Sequence, residues 1–342
     1  MWKDALRSSD IVPDSFKYFA ASTAHFIHRW DGESIEELPG QIVLLGLDAA
    51  TADPVRTQFF ELAWHFGKAQ LTDLGNLQAD AHEALAIVLS HVRQSGRIIL
   101  CLGGKPQQWE VAYEVLRQAN AYARLAWITG HTPAERPWLD RWLKSTAASV
   151  EEGLSLIGVQ YHFLSPGRMS VLAEQRLPVV RLSELRRQSA LAEPFLRDAH
   201  MLLCTLGALK FTETAAACSW PSGLTLEEAS LLVQYAALGE RMQLACIEGS
   251  GQIGAAARCS AVLLWYLIEG LMHRKGDYPR NEAVLQEFVV HVSDQLDLTF
   301  FKSRLTGRWW VRHRSGHLVA CTESDYRAAA SGEMPVRLLQ LI

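Results

Sequence analysis

The stretch "RIILCLGG", residues 97–104, places five consecutive apolar residues before a pair of glycines. A continuous apolar run of this length is typical of a parallel strand that is buried on both faces of its sheet. Similar short apolar runs recur at residues 42–47, 124–129, 154–159, 178–182, 199–206 and 243–249. Helix-sized segments separate them, for example residues 80–94, 106–120 and 225–239. This alternation predicts a three-layer α/β/α fold around a doubly wound, mainly parallel sheet of about eight strands.

The last part of the chain has a different pattern. From residue 285 onward, segments of alternating apolar and polar residues are separated by turn residues such as Thr306-Gly307 and Ser315-Gly316. This pattern predicts an antiparallel β meander, closed by a short helix near residues 323–331. We therefore divide the chain into an N-terminal extension (1–40), the α/β domain (41–284) and the meander with its helix (285–342).

Composition excludes several classes of protein. The 342 residues carry 33 basic and 37 acidic side chains, a formal net charge of −4, with no basic block interleaved with aromatic residues, so nucleic acid is not an expected partner. The start lacks a basic segment followed by an apolar one, and no run of about 18 apolar residues occurs, so we expect a cytoplasmic protein without a membrane partner. The six cysteines are scattered singly, which favours buried thiols over a zinc or redox site.

Ligands of doubly wound sheets gather at the carboxyl ends of the strands. One predicted strand end, "LAWITGHTP" at residues 125–133, carries Thr129, His131 and Pro133. Hard divalent cations prefer carboxylate oxygens. The sequence thus places a hydroxyl, an imidazole and a proline where a metal site would need acids.

The order of segments resembles the arginase (ureohydrolase) superfamily. The resemblance rests on "IVLLGLDAATADPVRTQFFEL", "LTDLGNL", "RIILCLGGKPQ", "LAWITGHTP", "LSLIGVQ", "CTLGALKF", "SWPSGLTLEEA" and "ACIEG". The later segments "LLWYLIEGLMHRKGDYP" and "LTFFKSRLTGRWWV" are similar to the formimidoylglutamase-like branch. The resemblance covers nearly the whole chain from about residue 41 onward and implies the arginase-like fold.

The resemblance also implies a chemistry, which is hydrolysis of a guanidino, amidino or formimino carbon–nitrogen bond by a water that bridges two manganese ions. The family holds these ions with a histidine of a G-G-D-H segment, a D-x-H-x-D strand end and a D-x-D strand end. The six corresponding positions in this sequence are Pro106, Thr129, His131, Pro133, Thr205 and Gly207. Of these, only His131 keeps a side chain that the family uses as a metal ligand.

One imidazole does not compensate the +4 charge of two manganese ions, and Lys105 adds a further positive charge next to Pro106. Glu135, Glu213 and His162 form no cluster at ligand spacing, and Cys204 is expected on the opposite sheet face from Thr205. We therefore expect no metal cofactor. His131 is then a vestigial residue, interpreted as a structural histidine and not as a catalyst.

Two further features remain open. Glu248 matches a family glutamate that contacts the cationic group of the substrate, so Glu248, with Lys105 nearby, is a candidate ligand-binding residue; the alternative is a solvated or ion-paired carboxylate. The stretch "GSGQIG", residues 249–254, matches a dinucleotide-binding pattern, but a strand-to-helix turn is favoured because it closes the α/β region instead of opening it.

Our leading hypothesis is a catalytically silent arginase-fold protein, a pseudoenzyme that acts as a binding, regulatory or assembly component. The alternative is a metal-dependent hydrolase of a linear carbon–nitrogen bond, such as that of formiminoglutamate, arginine or agmatine, with Mn²⁺ as cofactor. A third option is a metal-free site for a small cationic ligand at Glu248. The resemblance also implies a homo-oligomer, and a separate protein partner is a further option.

Overall fold

The structure is a computed structural model. It describes residues 2–9, 11, 22–67, 70–78, 82–130, 153–175, 177–215, 220–249, 254–293, 296–335 and 338.

Within the described residues, a ten-stranded sheet forms the centre of the molecule. Its strands are β1 (Leu6–Arg7), β2 (Ile27–Arg29), β3 (Ile42–Gly46), β4 (Leu71–Leu77), β5 (Ile98–Leu102), β6 (Leu125–Ile128), β7 (Leu154–Val159), β8 (Val179–Arg181), β9 (Met201–Thr205) and β10 (Leu244–Glu248). The order across the sheet is β1-β4-β3-β5-β10-β9-β6-β7-β8, and β2 also pairs with β4. Every pairing except β1 with β4 is parallel.

Helices cover both faces of this sheet. They are α1 (Ala49–Phe60), α2 (His82–Gln94), α3 (Pro106–Ala119), α4 (Pro166–Glu174), α5 (Leu182–Arg187), α6 (Glu193–Arg197), α7 (Phe211–Thr214), α8 (Leu226–Ala237) and α9 (Ala255–Met272). Alternate residues of the central strands enter two separate apolar cores, as Leu44 and Val43 do in β3. The sheet is buried on both faces because its strands are apolar at nearly every position. The predicted three-layer α/β/α fold is confirmed.

The helix α9 is, among the described residues, long and apolar enough to cross a membrane by length and composition. It packs against α8 and α1, and 61% of it is buried inside the protein. Its place in the core accounts for its apolar composition.

The sheet has more strands than the predicted eight because the pattern of apolar runs did not reveal β1, β2 and β4. Polar residues interrupt β4, and a buried arginine explains them. Arg56 of α1 donates from Nε and Nη2 to the two carboxylate oxygens of Asp73, at 2.8 and 2.9 Å, and from Nη1 to Asn76 Oδ1 at 2.6 Å. A Cβ at Gly46 would lie 1.9 Å from Asn76 Oδ1, so glycine is required there. Burial alone would lower the pKa of Arg56, but the carboxylates of Asp73 and Asp53 raise it above its usual value.

The predicted meander is a separate antiparallel sheet. Its strands are β11 (Leu285–Ser293), β12 (Leu296–Ser303), β13 (Trp309–Arg312) and β14 (Leu318–Cys321), in the order β11-β12-β13-β14. The helix α10 (Glu323–Ala330) follows it. The adjacent Trp309 and Trp310 point to opposite faces, as predicted, and both are buried.

A cluster of charged residues joins the meander to the α/β layers. Asp198 is buried and forms ion pairs with Arg124 and with Arg241, whose Nε lies 3.0 Å from Asp198 Oδ1. It also accepts a hydrogen bond of 3.0 Å from the backbone N–H of Ala320 in β14. Burial would raise the pKa of Asp198, but the two arginines hold it below its usual value. A buried carboxylate thus links the two sheets.

This junction lies at the amino ends of the central strands. Arg124 and His200 directly precede β6 and β9. Burial lowers the pKa of His200 to about 4, so the imidazole is neutral at pH 7. The meander is therefore attached at the end of the sheet opposite to the carboxyl ends where ligands are expected.

Candidate functional site

The structure brings most of the predicted site positions to one place. β5, β10, β9 and β6 are consecutive in the sheet, and their carboxyl ends carry Lys105, Glu248, Thr205 and Thr129. Glu248 and Thr205 are direct neighbours in the register of β10 and β9. We call this region the strand-end cleft. His131 and Pro133 lie outside the described residues, so the prediction for them stays a prediction.

Thr205 is the centre of a hydrogen-bonded chain in the cleft. Its hydroxyl accepts a hydrogen bond of 2.7 Å from the indole Nε1 of Trp127 and donates one of 3.0 Å to Oε2 of Glu248. Trp127 is fully buried, while Glu248 is half-buried. A hydroxyl can accept and donate at once, and a carboxylate can only accept. A threonine at position 205 can therefore form hydrogen bonds with both neighbours at once.

The turn after β5 begins the helix α3. Gly103 and Gly104 have φ angles of +71° and +90°, and Pro106 is the first residue of the helix, a position that favours proline. The side chain of Gln108 accepts from the backbone N–H of Lys105 at 2.7 Å and donates to the carbonyl of Leu47 at 3.1 Å. The position that corresponds to the family's histidine ligand is thus Pro106, the first residue of a helix.

The segment after β9 turns into the apolar core. Leu206 is fully buried, and Gly207 follows it in a short 3₁₀ turn. Cys204 points away from Trp127 to the opposite sheet face, as predicted. Burial, with a smaller contribution from the charge of Glu248, raises the pKa of the Cys204 thiol to about 12. A neutral thiol on the opposite sheet face from Thr205 is not placed to act as a metal ligand in the cleft.

The donors that the described part of the cleft supplies do not match the carboxylate-rich set that a pair of manganese ions needs. Among the described residues, no group of three or more histidine, cysteine, aspartate or glutamate side chains is placed to hold a metal. Of the replacement ligands considered from the sequence, Glu213 pairs with Lys210 at 3.4 Å, and His162 lies 3.5 Å from the hydroxyl of Ser222 and contacts the ring of Phe163. Glu135 lies outside the described residues.

Trp127 and Gln108 are parts of the cleft that were not predicted from the sequence. A signal for Trp127 is present, because it is two residues before Thr129 on the same strand and so shares its side of the sheet. For Gln108, the signal is its position three residues after the turn, where a side chain can cap the helix start. Neither residue is at one of the six positions that correspond to the family's metal ligands, so the resemblance gave no reason to select them.

The predicted strand-to-helix turn at residues 249–254 is described only at its two ends. Gly249 and Gly254 both have positive φ angles, of +88° and +96°, and α9 starts directly afterwards. Residues 250–253 lie outside the described part, so the choice between a dinucleotide loop and a turn stays a prediction.

A separate cavity of about 550 Å³ lies beside the edge strand β8. Its lining is mostly apolar, with Leu164, Met169, Leu172 and Phe195. The charged residue in its wall, Glu184, is paired with Arg181 at 3.0 Å. The cavity contains none of the residues predicted from the sequence.

We expect the Thr205→Val variant to be less stable than wild type by about 1 to 3 kcal/mol, because valine keeps the shape but removes both the acceptor for Trp127 and the donor to Glu248. Urea unfolding followed by circular dichroism measures this change. Thr205→Ser, which keeps the hydroxyl, is the matched control and should lose less. Equal stability of the valine and serine variants would contradict the role given to the hydroxyl.

The α/β part of the chain, with its central sheet between two helix layers and its cleft at the carboxyl ends of the strands, has an arginase-like fold. Solved structures with this fold include Trypanosoma cruzi formiminoglutamase with manganese, at TM-score 0.61 and 15% identity, covering 69% of this chain and 95% of that one. Bacillus subtilis formimidoylglutamase gives TM-score 0.61 and 14% identity, covering 74% and 92%. Agmatine ureohydrolase of Thermoplasma volcanium gives 0.55 and 15%, covering 74% and 94%. No family model and no curated protein matches the sequence. The likeness confirms the predicted arginase-like fold.

Proposed function

We propose that this protein is an arginase-fold pseudoenzyme that lacks the dimanganese site and acts as a binding, regulatory or assembly component. The observation that supports it is the contact between Thr205 and Glu248. In the family motif that the sequence resembles, position 205 is an aspartate that binds metal. Here it is a hydroxyl that connects a buried indole to a carboxylate.

Electrostatics explains why this arrangement suits a cleft without metal. A carboxylate at position 205 would lie roughly 3 Å from Glu248, and two such charges repel by about 5 kcal/mol at an effective dielectric constant of 20. Two manganese ions would compensate that repulsion, but a cleft without them would not. The hydroxyl turns the contact into an attraction.

Among the described residues, the same cleft contains a carboxylate that can bind a ligand. Glu248 is half-buried at the end of β10, and Lys105 lies in the turn between the neighbouring strand β5 and α3. A half-buried carboxylate in a cleft attracts a small cation, such as an ammonium, amidinium or guanidinium group. We propose this class of ligand for Glu248, with Lys105 excluding a second positive charge.

The alternative function is a metal-dependent hydrolase of a linear carbon–nitrogen bond. It is supported by the fold likeness to a formiminoglutamase that contains manganese. Fold alone does not carry activity over, because function depends on the residues of the site.

Metal analysis and an activity assay separate the two functions. We expect the full chain, purified with excess manganese and desalted, to retain no manganese. It should release no urea, ammonia or formamide from formiminoglutamate, arginine, agmatine or guanidinobutyrate. A water that bridges two metal ions requires about two manganese ions per chain. Retention of that amount, together with turnover of any of these compounds, would establish the hydrolase instead.

Thermal shifts with the same four compounds test the cationic ligand. We expect at least one to raise the melting temperature of wild type and to lose this effect in Glu248→Gln. The matched control is Glu269→Gln in α9, because Glu269 is also half-buried and also accepts from a neutral side chain, that of Gln234 at 2.7 Å. A shift that survives in Glu248→Gln places the ligand elsewhere.

A further inference from the structure

The outer strand of the meander, β11, is nine residues long and pairs with β12 on one side only among the described residues. The carbonyl of Val284, just before β11, accepts from the N–H of Arg304 at 3.0 Å. Backbone groups alternate along an antiparallel pair, so even-numbered residues bond to β12. The N–H and C=O groups of Glu287, Val289 and His291 therefore point to the open edge.

This edge lacks two of the usual features that prevent pairing between sheets, which are lysine and proline. Residues 285–293 contain no lysine and no proline, and Val289 is 56% exposed. Natural edge strands are commonly blocked by such residues, and a long apolar edge without them is suited to pairing with another strand. A bulge between His291 and Ser293 ends the regular part of the strand.

We propose that β11 is a dimer interface, on which a second copy of this chain pairs antiparallel across a two-fold axis through Val289. In this register Val289 lies opposite itself, and Glu287 lies opposite His291 of the partner subunit, twice. Nδ1 of His291 contacts Asp297 within its own chain, and Nε2 is the ring nitrogen left to meet the carboxylate placed opposite it. An axis through Glu287 would instead place two carboxylates together, and an axis through Val290 would extend the pairing past the bulge.

The other face of the strand also suits a second copy. Phe288 and Val290 belong to the apolar cluster under α10, where Phe288 contacts Tyr326 at a ring distance of 5.6 Å. Pairing about Val289 sets Phe288 opposite Val290 of the partner subunit. The two apolar clusters then become continuous across the interface.

The paired segment is short, so the dimer should be weak, with a dissociation constant on the order of 10 µM. Sedimentation of the full chain between about 1 and 100 µM would show the transition from monomer to dimer. Val289→Lys should raise the dissociation constant at least about tenfold, since lysine on an edge opposes pairing. Leu305→Lys is the matched control, because Leu305 is 54% exposed in the turn after β12 and outside the interface, and it should leave the dimer unchanged.

A cysteine at the axis tests the register. Cα atoms of directly hydrogen-bonded pairs are about 5.5 Å apart, within the span of a disulfide. Val289→Cys should therefore give a covalent dimer on mild oxidation, and Leu305→Cys should not. Monomers at all concentrations, equal effects of the two lysine variants, or equal cross-linking of the two cysteine variants would each overturn the proposal.

Discussion

Replacing Arg56 with methionine is expected to lower the free energy of unfolding by about 3 to 5 kcal/mol, because it leaves the carboxylate of Asp73 buried without its positive partner. Arg56 is fully buried and Asp73 is 5% exposed, so water cannot take over the lost contacts. The variant also removes the hydrogen bonds to Asn76 and to the carbonyl of Gly75, which is 2.7 Å from Nη2. Chemical denaturation at neutral pH measures the loss.

The control for this variant is Arg327→Met in α10, where the ion pair with Glu323 is exposed. An exposed pair of this kind contributes at most about 0.5 kcal/mol. The double variant Arg56→Met with Asp73→Asn should recover part of the stability, since no buried charge is then left alone. If Arg56→Met cost no more than Arg327→Met, Arg56 would not anchor α1 to β4.

The Asp198→Ala variant is expected to cost a similar amount, about 3 to 5 kcal/mol, because Arg124 and Arg241 then face each other without the carboxylate between them. Ala320 also loses the acceptor of its N–H, so the contact between the meander and the α/β layers is weakened first. Limited proteolysis should release the meander from the variant at denaturant concentrations that leave wild type intact. Thermal unfolding reports the overall loss.

The exposed Asp297 provides the comparison for Asp198. It also contacts a basic side chain, that of His291, but 57% of its side chain is exposed, so Asp297→Ala should change stability by less than about 1 kcal/mol. Identical proteolysis patterns for the two alanine variants would show that the junction does not depend on Asp198.

The sequence was sufficient to predict the strands that are apolar throughout, such as β5 and β9. The meander was also predictable, because its alternation has the period of a half-buried strand. The edge strands β1 and β2 are two and three residues long, too short for any periodicity to show. The strand β4 was not predicted from its apolar pattern for another reason. Its polar residues bind Arg56, a partner 17 to 20 positions earlier, and such pairing is set by tertiary structure.

The candidate site was predictable only as a set of positions. The resemblance pointed to Thr205 and Glu248, and the register places them side by side. The donor to Thr205 is Trp127, 78 positions away in the chain, and no local pattern indicates that contact. The side-chain geometry of the cleft therefore depends on tertiary contacts that no local motif in this sequence encodes.

The order of strands in the large sheet has a consequence for biosynthesis. β10 and β9 lie between β5 and β6, although they are synthesised more than 70 residues after both. While the chain is emerging from the ribosome, β5 and β6 therefore each have an unpaired edge. The gap between them cannot be filled until residue 248, the end of β10, has been synthesised. Nascent chains of this kind fold late and depend on protection from premature association, because distant segments must meet before either half is covered.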